Sequence, residues 1–171
     1  MQNSPSSKKA GPRTDPRAIQ DTSPLNILEL YQLAQQQDIP VYWYAFRDPA
    51  LESLVVELEG GGFAIALDPL KLGGLGDEKY KLAHELGHGL TGSLYRRYTP
   101  LDERGRNEVR ADRWAIRHLL PFEALQSAIA GGITDQQELA EYFDLPQCLI
   151  DKAIAYYTGP GGRRFCESPD D

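Results

Sequence analysis

Residues 81–90 read KLAHELGHGL, and the spacing of three side chains within them decides both the local structure and its chemistry. His84, Glu85 and His88 form an H-E-x-x-H pattern. Positions four apart on an α-helix differ by about 40° and one turn, so the two imidazoles project from one face and can share a metal ion. Glu85 stands at the edge of that face, where its carboxylate can reach a water on the metal without being a ligand. In the logic of this motif the metal lowers the water's pKa and the glutamate takes its proton during attack on a carbonyl. The helix carrying them is predicted from about Glu78 to Leu90, after a loop containing Gly73, Gly74 and Gly76, with Asp77 as N-cap and Gly92 closing it.

A catalytic zinc site needs three protein ligands and one open position. A metzincin continuation would put Gly at position 91 and His at position 94, but Thr91 and Leu94 stand there, which excludes that class. The next helix, predicted from about Asp102 to Leu120 and stopped by Pro121, carries NEVRAD at residues 107–112. Glu108 and Asp112 lie four apart on one face, and Ala115 and Leu119 continue the same stripe. Carboxylates aligned with an apolar stripe are costly to bury unless they bind a cation or accept hydrogen bonds. Glu108 is therefore assigned as the third ligand and Asp112 as the acceptor that orients a liganding imidazole, His84. One zinc ion is expected, although two imidazoles and a carboxylate also accept manganese or iron. For the tetrahedral oxyanion, the segment SLYRRYTP at residues 93–100 offers Tyr95 and Tyr98, with Arg96 and Arg97 between them. His118 points about 80° away from Glu108 around the helix and is read as structural.

Around this pair of helices the remaining elements follow from periodicity. Leu25, Leu28, Leu30, Leu33 and Ala34 recur at helical spacing until Pro40. Residues 41–46, 53–58 and 63–67 read as strands, the last two joined across Gly60, Gly61 and Gly62 as an antiparallel hairpin beside the first. Val109, Ala115, Ile116, Leu119 and Leu120 are predicted on the inner side of the second helix, and Trp43 and Trp114 as core anchors. Further helices are expected at 122–130, 134–143 and 146–157, with a capping box from Thr134 to Gln137 and Pro146 in a first turn.

Composition bounds the function. With 171 residues and 41% hydrophobic content the chain suits one compact unit. Residues 1–24 are rich in Pro, Ser and basic side chains and read as a flexible tail of net +2, which leaves 14 basic and 23 acidic residues in the remainder. That acidity repels phosphate backbones, so no direct nucleic-acid partner is expected. Within residues 134–157, Asp135, Glu138, Glu141, Asp144 and Asp151 face only Lys152, so the helix-turn-helix rhythm there is read as packing or protein recognition. No apolar run is long enough for a membrane span, no signal peptide is visible, and Cys148 and Cys166 suit neither a disulfide scaffold nor a thiolate cage; a cytoplasmic location is expected.

The segments KLAHELGH and NEVRADRWAIRHLLP, preceded by FAIALDP, resemble the ImmA/IrrE family of zinc metallopeptidases over about 60 residues, from Phe63 to Pro121. The NExxxD spacing is similar to the gluzincin arrangement, in which the glutamate ligates zinc and the aspartate supports a histidine. The resemblance implies an intracellular peptidase acting on a regulatory protein, often a helix-turn-helix repressor encoded nearby on a mobile element or stress locus. It implies an α+β fold: a small antiparallel-type sheet packed on the active-site helix as a minimal zincin-like core, with a helical C-terminal portion. The expected organisation is a tail at 1–24, a metallopeptidase core at 25–121, a helix-turn-helix-like subdomain at 122–158 and a second tail at 159–171. An extended peptide would add to a strand edge, for which Phe63–Leu67 is the candidate. The rival reading is a non-catalytic zinc-binding regulatory or antitoxin-like protein acting through partner binding; Glu85 favours the enzyme, because a binding-only site has no use for that carboxylate.

Overall fold

The computed structural model describes residues 23–93, 101–160 and 165, the side chains of residues 101 and 102 excepted. The architecture is α+β, three strands and six helices among the described residues. The opening helix α1 spans Ile27–Gln36 and is started by a capping box: the Asn26 side chain accepts from Glu29 N–H at 3.1 Å, and the Glu29 carboxylate accepts from Asn26 N–H at 2.7 Å. It buries Leu30, Leu33 and Ala34, while Leu28 faces outward.

Strands β1 (Val41–Trp43), β2 (Ser53–Glu57) and β3 (Phe63–Leu67) form one sheet in the order β1-β3-β2. β2 and β3 are the expected antiparallel hairpin, and β1 pairs with β3 in parallel, so the sheet is mixed and not antiparallel throughout. Phe63–Leu67 is consequently the central strand, and the expectation that it is an edge is corrected. Its sequence FAIAL, apolar at every position, is what a strand covered on both faces requires. The edges are β1 and β2. Trp43, expected in the core, sits on the β1 edge and is 53% exposed.

Between β1 and β2 the chain is drawn in by two side chains from beyond β3. Asp68 accepts from the N–H of Phe46 at 2.9 Å and of Leu70 at 3.0 Å. Lys71 Nζ donates to the carbonyl oxygens of Phe46, Asp48 and Leu51 at 3.3, 2.5 and 2.8 Å. This anchoring delivers Leu51 and Ser53 to the mouth of the site described below.

Helix α2 spans Leu75–Leu90 and starts a turn earlier than its sequence suggests: Gly74, at φ +135°, is the N-cap, and Asp77 lies in the first turn with its carboxylate accepting from Gly73 N–H at 3.1 Å. Its fully buried Leu82 and Leu86 each contribute about 1.5–3 kcal/mol of transfer free energy. The two glycines inside the motif are dictated by close approach. A Cβ at Gly87 would stand 2.8 Å from the Ala111 carbonyl oxygen, and one at Gly89 would fall within the Phe63 ring.

Helix α3 (Leu101–Leu119) packs on α2 and buries Ala111, Trp114, Ala115, Ile116 and Leu119. Val109, expected on that inner side, is 46% exposed, because the buried stripe runs through Asn107, Ala111 and Ala115 instead. Three helices follow: α4 (Phe122–Ala130), α5 (Gln136–Phe143) and α6 (Gln147–Thr158). The N-cap of α5 is Asp135, which accepts from Gln137 and Glu138 N–H at 2.8 and 3.1 Å, in place of the expected Thr134. Leu125, Leu139, Leu149, Ile150 and Ala153 join the same core as Leu82 and Leu86, and the Tyr157 hydroxyl donates to the Leu120 carbonyl at 3.0 Å. No helix among the described residues is long and apolar enough to cross a membrane.

Candidate metal centre

Three donors converge between α2 and α3. His84 Nε2 and His88 Nε2 lie 3.1 Å apart, His84 Nε2 is 3.2 Å from Glu108 Oε2, and His88 Nε2 is 3.2 Å from Glu108 Oε1. A tetrahedral ion about 2.05 Å from each donor would space them about 3.3 Å apart, so the triangle has the dimensions that zinc requires. The outer ring nitrogens settle which face carries the lone pairs. His84 Nδ1 lies 3.0 Å from Asp112 Oδ1 and His88 Nδ1 lies 3.1 Å from the Ser93 carbonyl. A carboxylate and a carbonyl only accept, so both Nδ1 atoms donate, and each imidazole, in its neutral form, turns its Nε2 lone pair toward Glu108. Two lone pairs and a carboxylate facing one another call for a positive charge among them, a proton on His84 or a metal cation, and among the described residues this group has the donor set for a metal.

The surrounding field favours positive charge. Burial alone would lower the His84 pKa, but Asp112 and Glu108 outweigh it and carry the imidazole up to about 9. Burial would raise Asp112, yet His84 and Lys152 hold that carboxyl down to about 2. His88 is buried, whereas the Glu108 side chain is 47% exposed, which leaves the solvent side of the triangle open.

Glu85, only 6% exposed, enters the same space from the next position on α2. The Ser53 hydroxyl donates to Glu85 Oε1 at 2.6 Å, and Oε2 has no hydrogen-bond partner among the described residues. The cleft above has a volume of about 460 Å³. Leu51, Ser53, Leu54 and Val55 form one wall, and His84, Glu85, His88 and Glu108 form the floor.

The structure thus brings His84, Glu85, His88, Glu108 and Asp112 together. Tyr95 and Tyr98 lie outside the described residues. His118 is elsewhere engaged: its ring stacks on Trp114 at 3.9 Å, Nδ1 donates to the Trp114 carbonyl at 2.7 Å, and burial lowers its pKa. Sequence reasoning missed Ser53, Tyr80 and Lys152. The Tyr80 hydroxyl donates to Asp112 Oδ1 at 3.0 Å, and Lys152 Nζ donates to Asp112 Oδ2 at 2.8 Å and to the Tyr80 oxygen at 2.7 Å. Burial is the largest influence on the Tyr80 phenol, which is pushed up to about 12. The one signal for Lys152 in the sequence is its isolation among five carboxylates, which raises the question of what it neutralises.

An α+β chain that sets an H-E-x-x-H helix against a second helix whose carboxylate lies within reach of both imidazoles has the constellation of a metal-dependent hydrolase. The family described as the IrrE N-terminal-like domain, a peptidase family, matches residues 74–154, the stretch that holds all three donors and Glu85. The match over these residues supports an ImmA/IrrE-family metallopeptidase. No curated protein and no solved structure matches the chain.

Proposed function

We propose that the protein is a zinc-dependent endopeptidase that hydrolyses a peptide bond in a regulatory protein. His84, His88 and Glu108 hold the ion, Glu85 is the general base and later the acid, and Asp112 orients His84. The observation that carries this reading is the placement of the Glu85 carboxylate in the same cleft as the three donors, buried and held at one oxygen by Ser53. An ion bound there supplies Lewis acidity to a water and to the scissile carbonyl. Glu85 Oε2 accepts the proton released as the water attacks and delivers it to the departing amide nitrogen. The hydroxyl of Ser53 keeps the carboxylate in one rotamer through both transfers.

An extended substrate fits along β2, the edge strand that walls the cleft. Glu52 accepts from Asp68 N–H and Leu58 donates to the Gly62 carbonyl, so the even-numbered positions between them turn their backbone groups to β3. Ser53 and Val55 turn theirs to the open side. In this reading residues 25–121 are the catalytic unit and residues 122–158 a helical subdomain attached to it. The family resemblance supports a helix-turn-helix regulator as the substrate and the cytoplasm as the compartment.

The test is Glu85→Gln in the full chain, with zinc content and cleavage of a co-encoded helix-turn-helix regulator measured side by side. The variant is expected to keep its zinc and to lose cleavage by about 10²–10⁴-fold. Equal cleavage by the variant would overturn the mechanism, and a zinc-loaded wild type that binds the regulator without cutting it would point to a binding protein.

A further inference from the structure

The carboxylate of Asp112 is held on both oxygens, and one of its holders comes from the far end of the chain. Oδ1 accepts from His84 Nδ1 and from the Tyr80 hydroxyl, each at 3.0 Å. Oδ2 accepts from Lys152 Nζ at 2.8 Å, and the same ammonium donates to the Tyr80 oxygen at 2.7 Å. Lys152, Tyr80 and Asp112 therefore close a ring of three hydrogen bonds, with His84 attached at one corner. Tyr80 and His84 lie on α2 and Asp112 on α3, but Lys152 lies on α6, whose other face is locked into the core by Leu149, Ile150 and Ala153. The ammonium's position is thus set by how α6 is seated.

A carboxylate on a single side-chain torsion pair can rotate away from an imidazole unless its second oxygen is held too. Tyr80 alone does not prevent this, because it binds the same oxygen as His84. The contact at Oδ2 comes from Lys152. We propose that Lys152 is a positioning residue of the metal centre: it fixes Asp112 against His84 and so couples the seating of α6 to the retention of the ion. The proposal rests on the reading of His84, His88 and Glu108 as metal ligands. Coupling of this kind is reciprocal, so an ion bound between α2 and α3 must in turn steady α6.

The sign of the effect discriminates. If Lys152 acted only as a nearby positive charge, removing it would relieve repulsion and tighten a dication. If it acts by holding Asp112, removing it loosens the ion, and the loss of a group that orients a ligand costs about 10–100-fold in metal affinity. Zinc affinity is measured by competition with a chromophoric chelator for the full-length wild type, Lys152→Met and Lys152→Arg, with thermal unfolding of each zinc-free protein as the control for folding. Lys152→Met is expected to bind zinc at least about tenfold more weakly, and Lys152→Arg, which preserves a charged donor, to recover most of the loss. In the wild type alone, zinc is expected to slow amide hydrogen exchange in α6, a measurement that stands even if Lys152→Met does not fold. Equal or tighter zinc binding by a folded Lys152→Met, or exchange in α6 indifferent to zinc, overturns the coupling while leaving the metal centre intact. A wild type that takes up no zinc overturns the metal centre itself, and the coupling with it.

Discussion

His88 and Ser93 hold each other by two hydrogen bonds: Ser93 N–H donates to the His88 carbonyl at 2.8 Å, and His88 Nδ1 donates to the Ser93 carbonyl at 3.1 Å. The helix end and the orientation of a candidate metal ligand are therefore one structure. Gly92 makes it possible, since its φ of +68° turns the chain back within two residues of the end of α2. Gly92→Ala is expected to cost about 1–2 kcal/mol of stability and to weaken zinc retention as well, because the Ser93 carbonyl moves off the imidazole. Urea unfolding and chelator competition measure the two effects, and lost stability with unchanged zinc affinity would show that His88 is oriented by something else.

The contact of Gly87 with Ala111 sets the separation of α2 and α3, and thus the distance from His88 to Glu108. A methyl group at Gly87 meets backbone atoms of Ala111 and the Cβ of Trp114 at 3.2 Å, none of which can swing aside. Gly87→Ala should destabilise the fold by about 1–3 kcal/mol and lower zinc affinity, read by the same two measurements. A variant as stable as wild type would mean that the helices part without cost.

Val55→Pro examines the substrate wall. Proline removes a single N–H, the one turned away from β3, and edge strands accept proline where the lost donor faces outward. The fold should survive, as judged by far-ultraviolet circular dichroism, while KM for a protein substrate rises roughly fivefold through loss of one hydrogen bond of about 1 kcal/mol. An unchanged KM would place the substrate elsewhere.

Asp68 predicts the acid limb of the stability curve. Its carboxyl is 1% exposed; burial alone would raise its pKa, but the N–H groups of Phe46 and Leu70 and the Lys71 ammonium at 3.3 Å outweigh this and hold it below the usual range. A depressed carboxylate adds stability above its unfolded pKa of about 3.9 and forfeits it as the pH falls through the lower folded value. Asp68→Asn is expected to be less stable at neutral pH and to lose less on acidification, as followed by urea unfolding across that range. Parallel acid limbs for the two proteins would assign the sensitivity to other carboxylates.

The α2 and α3 segments were legible because their information is local. A period of 3.6 residues places His84 beside His88 and Glu108 beside Asp112 without knowledge of anything distant. The strands were legible as strands but not in their order, since β1 pairs not with β2, the next strand in the chain, but with β3, and no periodicity records which strand is inserted between the others. Trp43 illustrates the limit: its residue type says core, but the edge position of β1 says surface. Lys152 lay beyond reach for a similar reason, being 72 residues from Tyr80 and brought to it only by the packing of α6.

Lys71 carries a last consequence. Its ammonium donates to three carbonyls of the segment between β1 and β2, a stretch of the protein's own backbone whose Leu51 borders the cleft. A segment bunched around one cation cannot straighten into the extended shape in which peptide bonds are cut without releasing all three carbonyls together. Under the proposed function, the chain that forms the threshold of the cleft is thereby kept from serving as its own substrate, and self-digestion is opposed by the same contacts that hold the doorway in place.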